Sequence, residues 1–347
     1  MKQEKRNLLP YFLFPTILIL IFDSKTALSG AISGVEICLH TVIPSLFPLM
    51  VFSMLFTNSL LGKSNGVLAP IGKLCGIPSG SEPILLTGLL GGYPLGAIAL
   101  ANASRSGHIT QRDSNRMLGF CNNCGPAFIF GIGSVLFSSK WFPWMLWLIH
   151  IFSSILTGAL LKGKSIASVN LPETKMPSFS EVIASSIRSM ATICGWIILF
   201  KIATSFCQKW FLWMFSVPLQ ATICGILELT NGFVALLAIP DESLRFLLAS
   251  AFLAFGGLSV CMQTASQIGE LDLRSYLQGK FLQTFLSTIL SASALLLTGS
   301  LSKYTVLYAI SICIFSTVPI TLFIFHKKHV DFSKTTVYNE NIISAAR

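Results

Sequence analysis

The chain has 347 residues, 53% of them hydrophobic and 11% charged, with a mean hydropathy of +0.72 and a formal net charge of +10. Soluble domains carry about 25% charged residues. Here the apolar excess runs the whole length, which argues against one large soluble core and for a protein embedded in a bilayer. The Lys and Arg residues sit in short loops and at the ends, the positive-inside pattern, so the net charge reads as topology and not as a nucleic-acid surface.

Residues 1–29 form the first unit. Lys2, Lys5 and Arg6 precede an apolar run at 8–22, and Asp23-Ser24-Lys25 follows without a small-residue cleavage site. The sequence predicts an uncleaved first span with its N-terminus in the cytoplasm. Residues 30–161 form a first repeat. A span at 35–61 holds Pro44 and Pro48, with Glu36 and His40 on one helix face. After a Gly-, Ser-, Pro- and Lys-containing loop, residues 83–101 are apolar but broken by Gly88, Gly91, Gly92, Pro94 and Gly96. Gly and Pro release backbone groups from the helical ladder. In lipid such groups are tolerated only under cover of protein or a water-lined cavity, so a re-entrant segment is expected here.

The loop at 102–116 is basic, with Arg105, Arg112 and Arg116 against Asp113. Thr110 and Asp113 make a helix-start signal, so a helix is expected from Gln111, meeting Asn122, Asn123, Gly125 and Pro126 soon after it enters the bilayer. A span at 141–161 carries Trp141, Trp144 and Trp147 as interfacial anchors. Residues 162–180 read as a polar linker between halves, 181–325 as a second repeat, and 326–347 as a polar, poorly ordered tail. The second repeat holds a polar cluster, Glu228, Thr230 and Asn231, and a Gly256-Gly257 pair. The expected fold class is therefore all-α and polytopic, with about eight to ten hydrophobic segments.

Three strings recur in order. Cys75-Gly76-Ile77 matches Cys224-Gly225-Ile226, Gly91-Gly92 matches Gly256-Gly257, and Ala103-Ser104-x-x-Gly107 matches Ala265-Ser266-x-x-Gly269. The first Ala-Ser-x-x-Gly loop is basic and its counterpart, with Glu270, Asp272, Arg274 and Lys280, is neutral. A basic loop against a neutral one suggests inverted copies with broken helices near the midplane, where secondary transporters bind solutes. One conflict remains: three full spans per copy put the C-terminus outside, whereas His326-Lys327-Lys328-His329 argues for inside.

Cys121-x-x-Cys124 lacks the further ligands a zinc site needs, and the nine cysteines fit no secreted disulfide framework. No metal or cofactor is expected. The sequence has no G-x-S-x-G, HExxH or Walker loop, so the reading is not enzymatic. Adjacent buried amides are costly without partners. Asn122 and Asn123 either bond neighbouring helices, or bind a solute or cap an unwound segment. Candidate solute-binding residues are Gly92, Tyr93, Pro94, Asn122, Asn123, Gly125, Pro126, Glu228, Asn231 and Gly257.

Gly91-Gly92-Tyr93-Pro94-Leu95-Gly96-Ala97, the Ile109-Thr110 helix start, and Phe120-Cys121-Asn122-Asn123-Cys124-Gly125-Pro126-Ala127-Phe128-Ile129 together resemble the YlbJ family of sporulation integral membrane proteins. The resemblance implies a multi-pass protein of the bacterial cytoplasmic membrane. It also implies the nucleoside-recognition (Gate) domain, inverted repeats and transport of a dipicolinate-like solute during sporulation. The arginines near a broken helix favour an anion. The expected partners are the lipid bilayer, a small solute and a coupling ion, and a homo-oligomer is compatible. The alternative is a non-transporting membrane component that assembles with partners during sporulation.

Overall fold

Inside hydrocarbon every backbone N–H and C=O must find a partner within the protein, and helices achieve this locally. The computed structural model describes residues 9–63, 66–163 and 177–321, and these form helices without a strand. The helices are α1 (Leu9–Phe22), α2 (Ser24–Ile37), α3 (Ile43–Leu60), α4 (Ala69–Cys75), α5 (Glu82–Gly91), α6 (Leu95–Arg105), α7 (Gln111–Cys121), α8 (Pro126–Phe130), α9 (Trp141–Leu160) and α10 (Phe179–Trp210). They continue with α11 (Val217–Leu227), α12 (Leu229–Leu236), α13 (Glu242–Phe255), α14 (Gly257–Gln267), α15 (Leu273–Leu297) and α16 (Lys303–Thr321).

Among the described residues six helical stretches are long and apolar enough to cross a membrane: Ser24–Leu60, α9, α10, Glu242–Gln267, α15 and α16. Three shorter apolar helices, Leu13–Phe22, α5 and α11, bring the hydrophobic segments to the expected number. The Ser24–Leu60 stretch joins α2 to α3 through a π-helical turn at Cys38–Val42. Local signals set several boundaries. The Thr110 hydroxyl accepts from the Asp113 amide and starts α7 at Gln111, as its sequence predicts. Ser178 and Glu181 form a capping box that starts α10.

Contacts at the helix ends define two faces. On one face the Gln111 amide donates to the Glu270 carbonyl at 3.0 Å, and the Asp272 N–H donates to the Asn115 side chain at 2.8 Å. Arg116 donates to the Cys75 and Gly76 carbonyls on this face, close to Lys162 and Gly163. On the other face Lys209 pairs with Asp23, the Ser138 amide donates to Glu242, and Ser302 donates to Asp241. The first face carries Lys63, Lys73, Arg105, Arg112, Arg116, Lys162 and Arg274 among the described residues, and α16 ends there at Thr321. The positive-inside rule makes it cytoplasmic.

Two helix pairs do not cross. Helix α5 starts beside Gly80 on the cytoplasmic face, reaches the interior at Gly92, and α6 returns to that face antiparallel to it. Both arms close on the end of α7, where a Cβ at Gly88 or Gly96 would overlap the Cys121 carbonyl oxygen. Helices α11 and α12 form the second hairpin from the opposite face, turning at Glu228, with Gly225 packed on Gly232. Between the hairpins run two broken crossings. One is α7, an extended stretch at 122–125, α8 and a 3₁₀ turn at Ile132–Leu136; the other is α13 and α14, broken at Gly256. Helices α7 and α15 run parallel and touch through Gly119 and Gly279, the close approach that small residues allow between membrane helices.

Two sequence expectations need correction. The matched Ala-Ser-x-x-Gly loops lie side by side on the cytoplasmic face, through the Gln111–Glu270 and Asn115–Asp272 contacts. Those strings therefore do not mark inverted copies. Their likeness reflects a shared job, since each ends a helix and starts the next. The conflict over the C-terminus also disappears. Neither hairpin crosses, so the count of full spans changes and Thr321 ends on the cytoplasmic face. The expected linker overlaps residues 164–176, and the tail lies beyond 321; both segments fall outside the described residues.

Candidate functional site

A cavity of about 900 Å³, its open mouth included, lies where the two hairpin tips approach each other. The first tip contributes Gly91, Gly92 and Tyr93; the second contributes Glu228, Leu229 and Thr230. The break after α7 adds Cys124 and Gly125, α14 adds Val260 and Gln263, and the π-helical turn with the start of α3 adds Thr41, Val42 and Ser45. Gly92 turns the chain at φ +86°, conformational ground that L side chains avoid.

Of the ten residues expected from sequence, Gly92, Tyr93, Gly125 and Glu228 line this cavity. Pro94 and Pro126 sit one residue further on, opening α6 and α8. Gly257 opens α14 behind the Gly256 break. Asn122, Asn123 and Asn231 stand behind the wall. Asn122 Oδ1 faces the Ala97 amide at 3.4 Å and its Nδ2 donates to Thr264 at 3.0 Å. Asn123 Nδ2 donates to the Phe120 carbonyl at 2.7 Å and to Ser154 at 3.0 Å, and its Oδ1 accepts from Gln283 at 3.0 Å. Both asparagines are fully buried. They satisfy the backbone freed by the break, and they tie α6, α9, α14 and α15 to it.

Each hairpin tip is held by a lysine from a full span. At the second tip Glu228 caps α12, accepting from the Thr230 amide at 3.0 Å and the Asn231 amide at 2.7 Å. Lys201 of α10 donates to Asn231 Oδ1 at 2.6 Å, so this tip carries one acid and one base. At the first tip Tyr93 O–H donates to the Leu253 carbonyl at 2.8 Å. Lys280 of α15 stands behind it, 5.2 Å from the Tyr93 ring centre and 5.8 Å from that of Tyr276. Lys280 donates to the Asn122 carbonyl at 2.5 Å and to Gln283 at 2.6 Å. Among the described residues no carboxylate joins it.

The arginines that suggested an anion from sequence are elsewhere. Arg105 donates to Asn102 and Arg116 to Cys75, Gly76 and Asp113, all toward the cytoplasmic face. Lys280 and Gln283 were missed because Lys280 reads as the end of a neutral loop. A signal was present: Tyr276, Lys280, Gln283, Thr284, Ser287 and Ser291 recur at helical spacing through an apolar segment, and all are buried. Cys121 and Cys124 are buried free thiols. Among the described residues no group of three or more His, Cys, Asp or Glu could hold a metal ion.

A sporulation integral membrane protein, YlbJ of Bacillus subtilis (strain 168), is 24% identical to this chain over 310 residues, covering 76% of each. The chain is similar to this protein over three quarters of its length. No family model and no solved structure matches it. Its apolar helices, and its similarity to an integral membrane protein, make it a multi-pass membrane protein, consistent with the bacterial cytoplasmic membrane.

Proposed function

We propose that this protein belongs to the YlbJ family and moves a small dianion of the dipicolinate type across the membrane, using the cavity between the hairpin tips as the solute site. The observation that carries this reading is that two non-crossing hairpins enter from opposite faces and share one cavity at their tips. A protein that only assembles with partners has no need of a polar-tipped cavity at that depth. Discontinuous helices at the interface of inverted repeats are the usual solute site of secondary transporters. In this reading the copies are inverted after all, with a pairing different from the sequence matches. The α5–α6 hairpin answers α11–α12, the broken α7–α8 crossing answers α13–α14, and α9 answers α15. This is also the arrangement expected of a Gate-like domain.

Negative charge in the solute is supported by two features. Helices α6 and α14 begin at the level of the cavity, and helix N-termini favour anions. Lys280 places a basic group behind Tyr93, and among the described residues no acid pairs with it. The test is uptake of labelled dipicolinate, with uridine as the neutral comparison, by purified protein in liposomes. Saturable dipicolinate uptake is expected. Uptake of neither solute, with stable co-purification of a partner protein, would overturn the reading in favour of a non-transporting component.

A further inference from the structure

Lys280 lies seven residues into α15, roughly 10 Å along the helix at 1.5 Å per residue. It is fully buried, level with the breaks after α7 and α13. The titratable side chains around it are Cys121 and Cys124 at the end of α7, His150 of α9, Tyr93 of the first tip and Tyr276 of its own helix, with Cys261 of α14 next to Tyr276. Helix α13 presents only its backbone and apolar side chains at this depth, since Glu242 and Arg245 lie at its far end. No carboxylate is present in the set. Ionisable groups at this depth are costly and usually mark ion or proton pathways.

The hydrogen-bond geometry around Nζ has two classes of partner. Two acceptors are close, the Asn122 carbonyl at 2.5 Å and Gln283 Oε1 at 2.6 Å, and two are distant, Asn123 Oδ1 at 3.4 Å and Tyr93 Oη at 3.5 Å. A neutral amine has two N–H donors and an ammonium has three. The short bonds satisfy the amine in full. The third proton of the ammonium has a loose berth ready, facing Asn123 and the tyrosine whose ring lines the cavity. A lone charge at this position can be relieved by shedding the proton or by an anion arriving in front of Tyr93. Binding of the anion and binding of the proton are then mutually reinforcing, and such coupling is reciprocal.

We propose, resting on the transport reading above, that one proton accompanies the dianion and that Lys280 carries it. In the empty protein Lys280 is the amine. As the dianion occupies the cavity, Nζ takes a proton from water on the side of loading. When the dianion leaves on the other side, the same proton returns to water there. The chain gains and loses one proton per cycle, and no bond other than N–H changes.

The experiment uses the full chain in liposomes, labelled dipicolinate as the probe, pyranine inside to report pH, and voltage held at zero with valinomycin and equal potassium. One coupled proton makes a gradient of one pH unit shift the accumulation ratio by about tenfold. Wild-type protein is expected to show that ratio and to acidify the lumen as dipicolinate enters. In Lys280→Met and Lys280→Arg the ratio should fall to about one, since neither side chain exchanges a proton here; guanidinium stays charged throughout. If Lys280→Met does not fold, Lys280→Arg and the wild-type proton count decide. Wild-type uptake that ignores the pH gradient overturns the proton while leaving the transport reading intact. Full gradient response in Lys280→Arg overturns Lys280 as the carrier. Wild-type protein that moves no dipicolinate under any gradient overturns both.

Discussion

Asn123 bonds the Phe120 carbonyl, Ser154 and Gln283 at once, and Asn122 bonds Thr264 and accepts at Ala97. Sequence reasoning singled out the pair because buried amides are costly. It could not say what they face, because Thr264 and Gln283 lie 142 and 160 residues away. Lys280 was missed for a related reason. Its near neighbours look like loop, and only the spacing of later residues puts it on a buried stripe. The expected result for Asn122→Leu and Asn123→Leu is therefore lost stability, at about 0.6 kcal/mol per membrane hydrogen bond and seldom over ~2. Asn123→Leu should suffer more, since it breaks more bonds. Thermal unfolding and dipicolinate flux measured on the same preparations check this. A drop in flux per folded molecule of about tenfold, equivalent to ~1.4 kcal/mol, would return the asparagines to the solute.

At the scale of the element, re-entry of the first hairpin was legible in its glycines and its proline, which no simple span would carry. The second hairpin was not. Residues 211–239 read as one apolar run interrupted by Pro218, Gly225 and the polar stretch at 228–232, because the arms on either side are apolar and nothing in the run says that the chain turns back. The first hairpin offers a sharp test. A methyl group at Gly88 or Gly96 would overlap the Cys121 carbonyl oxygen, whereas one at Gly107 meets nothing within 4 Å. Backbone can yield only by moving the tip away from α7. Gly88→Ala and Gly96→Ala should each lose folded protein, at or above the ~1–3 kcal/mol typical of overpacking. Gly107→Ala should show only the milder penalty of its φ of +76°, about 1 kcal/mol. Size-exclusion profiles and melting temperatures of the three variants separate the cases. Equal behaviour of all three would refute the close approach.

For the whole molecule, the all-helical, many-span character was plain in composition, because hydropathy needs no knowledge of which segments touch. Side assignment was not, because it depends on which segments turn back. Gly107, Gly269 and Gly299 sit in three turns, each with open space for a side chain. The structure puts the first two on the cytoplasmic face and Gly299 on the other, beside Ser302 and Asp241. An impermeant maleimide added outside intact cells should label Gly299→Cys and leave Gly107→Cys and Gly269→Cys unlabelled, read by mass spectrometry of the peptides. Opposite labelling of Gly107→Cys and Gly269→Cys would restore inversion of the matched strings and refute the hairpin topology.

The first hairpin also constrains how the chain is made. Tyr93 reaches Leu253 and Lys280, which follow it by 160 and 187 residues. At about 5–20 residues per second of synthesis, the tip leaves the ribosome roughly 10–40 s before α15 exists to meet it. Through that interval Gly92, Tyr93 and the freed carbonyls after α7 have no final partners, and lipid supplies none. The nascent segment must wait at the bilayer surface or inside an insertion chaperone. The late-made half of the chain is therefore what draws the early hairpin into place, and a chain stopped after α9 should be cleared by membrane proteases instead of accumulating.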